Sequence, residues 1–180
     1  GGTQQGEWLV NAHEYTLDQK VRILLLTDKS TNYYDETAYE QGLRLAASLV
    51  RRLAEAGIPV GLFSNGLDCL ERREPSSGVG TSSGHVDSVL ELLARLDLSE
   101  TGMAGIRILE ELQQNYQADE FYVIISPDRG REMLRAYETL RSYTDACQWI
   151  APIRTMEFFD LSEEEQQREQ TLPDFYYYRI

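Results

Sequence analysis

Two aspartates stand at the carboxyl ends of apolar runs that are typical of buried strands. Asp28 directly follows VRILLLT at residues 21–27, and Asp128 closely follows EFYVIIS at residues 120–126. The carboxyl ends of parallel strands meet at one edge of an open α/β sheet, which is where such folds bind ligands. The two carboxylates are therefore expected to lie on one working edge of the molecule.

Further oxygen-bearing side chains are predicted at the same edge. Ser30 and Asn32 follow Asp28, and Thr101 lies in SETG at residues 99–102, which is predicted to form a turn that opens a helix. Hard cations such as magnesium take oxygen ligands of these types and often retain several waters. Aspartate and serine after strands also cap helices and form Asx turns, so a structural role is the alternative. The candidate metal ligands are Asp28, Ser30, Asn32, Thr101 and Asp128.

Tyr33 and Tyr34 continue the loop that begins at Asp28. Tyrosine combines a large apolar ring with a polar tip and is enriched at protein interfaces. The two side chains are therefore candidate contacts to a protein partner. The alternative is that they pack against the helix that follows.

The elements around these loops alternate between strand and helix. Residues 36–56 have apolar side chains at helical spacing, Gly57 is predicted to end this helix in a left-handed conformation, and IPVGLF at residues 58–63 reads as a second buried strand. Further helices are expected over residues 86–96, from Ile106 to Tyr116 and around residues 133–140, with strands at 120–126 and 147–153. Ser162 and Glu165 have capping-box spacing at the start of an acidic helix, and FYYYRI at residues 175–180 is predicted to form an edge strand.

This alternation predicts an α/β fold, a doubly wound and mainly parallel sheet with residues 21–27 as a central strand. That strand is mostly apolar and reads as buried on both faces, so helices are expected on both faces of the sheet. Residues 1–14 are expected to be a linker or cloning remnant, and residues 15–180 one domain. The low-complexity stretch PSSGVGTSSG at residues 75–84 is predicted to be a flexible surface loop.

The charge balance restricts the kinds of partner. The chain of 180 residues has 30 acidic and 17 basic side chains, a formal net charge of −13. Such a surface repels phosphate backbones and anionic lipid, which argues against nucleic acid as a partner. A basic protein or a divalent cation is the expected partner instead. The acidic run DLSEEEQQRE at residues 160–169 is expected to be a solvated helix face.

Nucleophilic catalysis finds little support in the sequence. Cys69 and Cys147 have no metal-binding spacing and are expected to be buried free thiols, which fits a reducing compartment. His13 lies in a polar region, His85 is expected at the surface or at a helix start, and no GxSxG motif is present. The alternative to a binding domain is a nucleotide- or metal-dependent hydrolase that uses the edge with Asp28 and Asp128.

Six segments follow one another along the chain: VRILLLTDKSTN, LRLAASLVRRLAEAG, IPVGLFSNG, a Gly/Ser-rich excursion, SVLELLARLDLS and FYVIIS. In this order they resemble the von Willebrand factor A-like domain, and more closely the bacterial family known as domain of unknown function 58. The resemblance covers roughly residues 15 to 153. It implies a Rossmann-like sheet that in complete members bears a metal-ion-dependent adhesion site.

The adhesion site implied by the resemblance is degenerate in this chain. Its first motif is Asp-x-Ser-x-Ser, and here Asp28 and Ser30 match while Asn32 replaces the second serine. Thr101 is the candidate for the later threonine, and Asp128 is the candidate for the late aspartate, with Pro127 where the family has threonine. The resemblance therefore implies that magnesium binds weakly or not at all.

The resemblance also implies a role and a location. Members of the family are non-catalytic interaction proteins, often associated with MoxR-type ATPases, and their soluble domain usually follows amino-terminal membrane helices. The expectation is a protein-interaction domain at the cytoplasmic face of the cell membrane. Membrane attachment would come only through segments that this sequence lacks.

Overall fold

The computed structural model describes residues 19–28 and 36–180, which form an α/β fold around a five-stranded parallel sheet. The strand order is β2-β1-β5-β6-β7, and β3 and β4 form a separate antiparallel pair. The strands are β1 (Lys20–Leu25), β2 (Val60–Ser64), β3 (Gly66–Asp68), β4 (Leu96–Thr101), β5 (Glu120–Ile125), β6 (Cys147–Ile153) and β7 (Phe175–Arg179). The helices are α1 (Glu36–Glu55), α2 (Ser83–Ala94), α3 (Gly105–Asn115), α4 (Arg131–Tyr143), α5 (Thr155–Phe159) and α6 (Glu163–Gln170).

Strand β1 lies inside the sheet, as its apolar sequence predicts. It pairs in parallel with β2 and β5, so that Ile23 lies beside Leu62 on one side and Val123 on the other. Ile23 and Leu25 face one layer of helices, and Leu24 faces the other. A strand that is apolar on both faces is stable only where both faces are covered.

Helices α1 and α2 cover one face of the sheet, and α3 and α4 cover the other. The first layer includes Leu49 of α1 and Val89 of α2, both buried against the sheet. The second includes Leu109 of α3 and Tyr137 of α4, which pack around Trp149 of β6. The doubly wound architecture is thus confirmed. Among the described residues, no helix combines the length and the apolar character needed to cross a membrane.

The prediction of a turn at residues 99–102 is wrong. Residues 99–101 belong to strand β4, and Gly102 directly follows its end. Strand β4 pairs with β3 in antiparallel register, with Thr101 beside Gly66. Leu98 of β4 is buried in the core, which holds this otherwise polar segment against the body of the domain. Arg95 lies in the turn between α2 and β4. Its Nε donates a 2.9 Å hydrogen bond to the carboxylate of Asp68, which holds this turn against the end of β3.

The Gly/Ser-rich stretch is not a free loop. Residues 75–80 run antiparallel along β2, where Ser77 donates its N–H to the carbonyl of Leu62 at 2.8 Å and Gly80 pairs with Val60. The ring of His85, near the start of α2, lies 2.6 Å through Nε2 from the carbonyl oxygen of Val60. An exposed strand edge invites pairing with other chains, and this segment covers the β2 edge.

Other predictions divide between confirmed and wrong. Gly57 ends α1 with φ of 80°, and Ser162 caps α6 by accepting the N–H of Glu165 at 3.1 Å, both as predicted. Cys147 is a buried free thiol, whereas Cys69 is exposed because it lies in the turn after β3. The acidic helix is solvated except at Glu169, which is buried.

We predict that Gly61→Ala destabilises the fold. A Cβ at Gly61 would lie 2.8 Å from the carbonyl oxygen of Gly78, so the segment along β2 would have to shift. The free energy of unfolding, measured by urea denaturation, should fall by about 1–3 kcal/mol, the usual cost of overpacking. Gly78→Ala is the matched control, because nothing lies within 4 Å of its added Cβ. Equal stability of the two variants would show that the segment is not held against β2.

Candidate functional site

The carboxyl edge of the sheet is fixed by one buried side chain, that of Asn65. Its Oδ1 accepts the N–H of Thr27 at 2.7 Å, and its Nδ2 donates to the carbonyl of Thr27 at 2.8 Å. The same Nδ2 donates to the carbonyl of Met103 at 2.9 Å. Asn65 is fully buried, so water cannot readily replace it as the partner of these backbone groups. The side chain thereby joins the end of β1 to the segment after β4.

Two further hydrogen bonds hold β4 at this edge. The hydroxyl of Thr27 donates to the carbonyl of Leu98 at 2.6 Å, and the N–H of Gly102 donates to the carbonyl of Asn65 at 2.7 Å. Thr101 lies between these two attachment points. Together these hydrogen bonds fix the positions of β1, Asn65 and β4 relative to one another.

Asp28 is anchored through its backbone to the first helix. Its N–H donates to the hydroxyl oxygen of Tyr39, at 3.1 Å. Tyr39 is buried in α1, and this burial, together with the charges of Asp128 and Asp28, raises its pKa to about 12. The phenol is thus neutral at physiological pH and fixes where β1 leaves the sheet.

Asp128 lies in the loop between β5 and α4. Its Oδ1 accepts the N–H of Gly130 at 2.9 Å, and its own N–H donates to the hydroxyl of Ser126 at 3.2 Å. Partial burial raises the pKa of Asp128 above its usual value, and the negative charge of Asp28 raises it further. The two carboxylates are therefore near enough to repel each other, a condition that a cation at this edge would relieve.

A cavity of about 330 Å³ opens beside Asp128. Arg129 crosses it and donates to Glu169 at 2.7 Å and to Glu157 at 2.8 Å, so that one guanidinium links the loop after β5 to α6 and α5. Glu169 also accepts a hydrogen bond from the hydroxyl of Tyr177. The cavity is lined by four carboxylates and two guanidiniums, together with Pro127 and Gly130: Asp128, Glu157, Glu165 and Glu169, and Arg129 and Arg168.

The structure places some of the residues predicted from the sequence and leaves others undescribed. Asp28 and Asp128 follow neighbouring strands, β1 and β5, and Thr101 ends β4 at the same edge. Ser30, Asn32, Tyr33 and Tyr34 lie outside the described residues. A ligand set made of all five predicted residues therefore stays a prediction.

The donor chemistry fits a hard cation only in part. Within residues 19–28 and 36–180, no group of three or more histidine, cysteine or acidic side chains is arranged to hold a metal ion. The candidate set has two carboxylates, Asp28 and Asp128, and its remaining donors are hydroxyl or amide groups. Neutral oxygens hold magnesium less strongly than carboxylates do, so the residues fit weak rather than tight binding.

Sequence analysis missed Asn65, the residue that organises the edge. Ser64-Asn65-Gly66 has the composition of an ordinary polar turn after a strand, so the sequence alone gives Asn65 no special role. An asparagine directly after a buried strand was the available indication. Its partners lie 38 residues away along the chain, and the sequence does not pair them.

No protein-family model and no curated protein matches the chain. Solved structures do share its fold. A von Willebrand factor type A protein from Catenulispora acidiphila is 12% identical, with a TM-score of 0.51 over 90% of this chain and 38% of that one. Proximal thread matrix protein 1 from the mussel byssus is also 12% identical, with a TM-score of 0.52 over 89% of this chain and 43% of that one.

The pilus adhesin SpaC from Lactobacillus rhamnosus GG, in its open conformation, is a third similar structure. It is 10% identical, with a TM-score of 0.53 over 90% of this chain and 28% of that one. The chain thus spans less than half the length of each of these three proteins. At such identities the likeness concerns the fold alone. The fold is Rossmann-like and of the von Willebrand factor A type.

We predict that Asn65→Ala destabilises the fold strongly. The change removes three hydrogen bonds and leaves the buried backbone groups of Thr27 and the partly buried carbonyl of Met103 without this partner. The free energy of unfolding should fall by about 2–4 kcal/mol in urea denaturation. Asn115→Ala is the control, because exposed Asn115 makes one hydrogen bond within its own helix, and it should cost less than about 0.5 kcal/mol. Similar losses in both variants would contradict the role assigned to Asn65.

We predict that Asp128→Asn slightly stabilises the metal-free protein at pH 7. Because the pKa of Asp128 is raised in the folded state, ionisation of this carboxyl opposes folding. The stability that comes from the protonated carboxyl is fully present below the unfolded pKa of about 3.9. It is lost as pH rises through the folded pKa. Asparagine keeps the acceptor for Gly130 without the charge. The gain should be about 0.5 kcal/mol at pH 7, since the group is partly exposed, and should vanish towards pH 4.

Addition of magnesium tests whether the prediction for Asp128→Asn is wrong. If a tight metal site used Asp128, millimolar magnesium would stabilise the parent protein and not Asp128→Asn, and the sign of the difference would reverse. Thermal unfolding of both proteins with and without magnesium measures this directly.

Proposed function

We propose that the chain is a non-catalytic protein-interaction domain that binds a partner across the carboxyl edge of its sheet. The observation that carries the proposal is the pair Asp28 and Asp128, which follow the neighbouring strands β1 and β5; burial and the charge of Asp28 both raise the pKa of Asp128. A rigid, negatively charged edge on a chain of net charge −13 favours a positively charged partner. Loops at this edge can vary without altering the core.

The cavity beside Asp128 supports a basic partner. Glu157 and Glu169 already pair with Arg129, and the other charged residues that line the cavity are Asp128, Glu165 and Arg168. A lysine or arginine side chain of the partner would therefore enter against net negative charge. Tyr33 and Tyr34 are proposed to supply the apolar part of the contact.

The finer identity of the partner rests on the resemblance of the sequence segments. We propose that the chain is a domain-of-unknown-function-58 relative, cut from a membrane-anchored bacterial parent and located at the cytoplasmic face of the membrane. Its proposed partner is a MoxR-type ATPase. The degenerate adhesion site, Asp28, Ser30, Asn32, Thr101 and Asp128, is proposed to hold magnesium weakly, so binding of the partner should not require the metal.

We predict that Asp28→Ala and Tyr33→Ala/Tyr34→Ala each weaken capture of the cognate MoxR-type ATPase by about tenfold, as expected for loss of a central interface contact. Affinity would be measured by titration with the purified ATPase at two salt concentrations. The parent protein should lose affinity at high salt, and Asp28→Ala should lose less because one attractive charge is already absent.

Two variants at the opposite end of the sheet are the controls. Asp119→Ala removes an exposed carboxylate that pairs with Lys20 before β5, and Tyr143→Ala removes an exposed ring at the end of α4. Both should bind as the parent does. If the edge variants also bind unchanged, the interaction face lies elsewhere. Stabilisation of the parent by ATP or GTP in thermal unfolding would instead favour the hydrolase alternative.

A further inference from the structure

Helix α5 presents two large apolar side chains to solvent. Met156 is 78% exposed and Phe159 is 70% exposed. They lie three residues apart on one short helix, so they share a face. The other large hydrophobic side chains that are exposed among the described residues, Leu70, Tyr116 and Tyr143, belong to other segments. Adjacent exposed apolar groups on a soluble domain mark an interaction site more often than a single one does.

The exposed ring of Phe159 is held in place from the core. Successive edge-to-face contacts connect six aromatic rings, with centroid separations between 4.9 and 5.5 Å. In order from the core to the surface the rings are Tyr137, Trp149, Phe175, Tyr177, Phe158 and Phe159. The guanidinium of Arg179 lies 4.8 Å from the centroid of Phe158 and fixes that ring further. The contact with Phe158 restricts the Phe159 ring before a partner arrives, which lowers the entropy lost on binding at this position.

Acidic side chains flank the apolar pair. Asp160 follows Phe159 directly, and Glu163 and Glu164 open α6; all three are exposed. Arg154, which precedes α5, is the nearest exposed basic side chain in sequence. Three carboxylates against Arg154 and the half-buried Arg179 leave the surroundings of the apolar pair net negative, and a ligand with both apolar and basic groups complements them.

We propose that Met156 and Phe159, with Asp160, Glu163 and Glu164 as the acidic rim, form a docking surface for a basic amphipathic segment of a protein partner. The apolar side chains of that segment cover Met156 and Phe159, and its lysines or arginines face the rim. Methionine adapts its shape to the apolar group that it meets, while the fixed phenylalanine ring sets the position.

Charge excludes the other occupants. A second copy of this chain would bring the same acidic rim against itself, at a net charge of −13 per chain. An anionic lipid surface is repelled for the same reason. The surface uses none of the residues proposed to bind a partner at the carboxyl edge, so this inference does not rest on that proposal.

The test uses two fluorescent helical peptides with leucines on one face and either lysines or glutamates on the other. Anisotropy titrations at low ionic strength should show saturable binding of the lysine peptide and none of the glutamate peptide. Met156→Ala/Phe159→Ala should weaken binding of the lysine peptide by about tenfold, the effect of removing an interface hot spot. The matched control, Leu70→Ala/Tyr143→Ala, removes two exposed hydrophobic side chains elsewhere and should bind within about twofold of the parent.

A second pair of variants tests the rim. Glu163→Gln/Glu164→Gln should weaken binding by about threefold and reduce its salt dependence. Glu110→Gln/Glu111→Gln, at two exposed positions of α3, should do neither. Amide chemical-shift changes on adding the lysine peptide should centre on residues 154–165. Absence of saturable binding, or unchanged affinity in Met156→Ala/Phe159→Ala, would overturn the proposal. Equal losses in both glutamine variants would show attraction to overall charge alone.

Discussion

The working edge of this domain depends on the hydrogen bonds of Asn65. Parallel pairing of β1 with β2 and β5 ends at Leu25, and beyond it the chain must leave the sheet without exposing buried backbone groups. Asn65 solves this by binding both polar groups of the Thr27 backbone, in place of a further ladder pair. Its third bond, to Met103, brings the end of β4 to the same place. Asp28 can then lie at the surface because the residue before it is held from within.

The loop that bears Asp128 is held by a different interaction, between charges. Arg129 is almost entirely buried between Glu157 and Glu169, and a buried guanidinium left without carboxylates would cost several kcal/mol. Arg129 therefore fixes the loop to α5 and α6 while leaving Asp128 directed to Gly130 and to the edge. The two aspartates owe their positions to unrelated forces, an uncharged polar cluster and a buried ion pair.

The sequence predicts those parts of the fold in which neighbouring residues determine the outcome. Strands β1, β5 and β6 are mostly apolar, and Gly57 and Ser162 mark a helix end and a helix start where the structure has them. The errors concern long-range pairing. Residues 75–80 look like a free loop until β2 is known to be an edge, and residues 99–101 look like a turn until β3 is known to pair with them. The candidate site divides in the same way: Asp28 and Asp128 follow from strand ends, but Asn65 depends on partners far away in the chain.

The edge with Asp28 and the surface on α5 are distinct in residues but share a mechanical support. Arg129 directly follows Asp128, and its guanidinium donates a hydrogen bond to Glu157. Glu157 lies between Met156 and Phe158 in α5. On the other side, Glu169 joins Arg129 to Tyr177, the ring that carries Phe158 and, through it, Phe159. Asp128 at the edge and Phe159 on α5 are therefore both connected, through Arg129 and Tyr177, to groups in the core. Because such contacts restrict a side chain before a partner arrives, it loses less entropy on binding than a free side chain would.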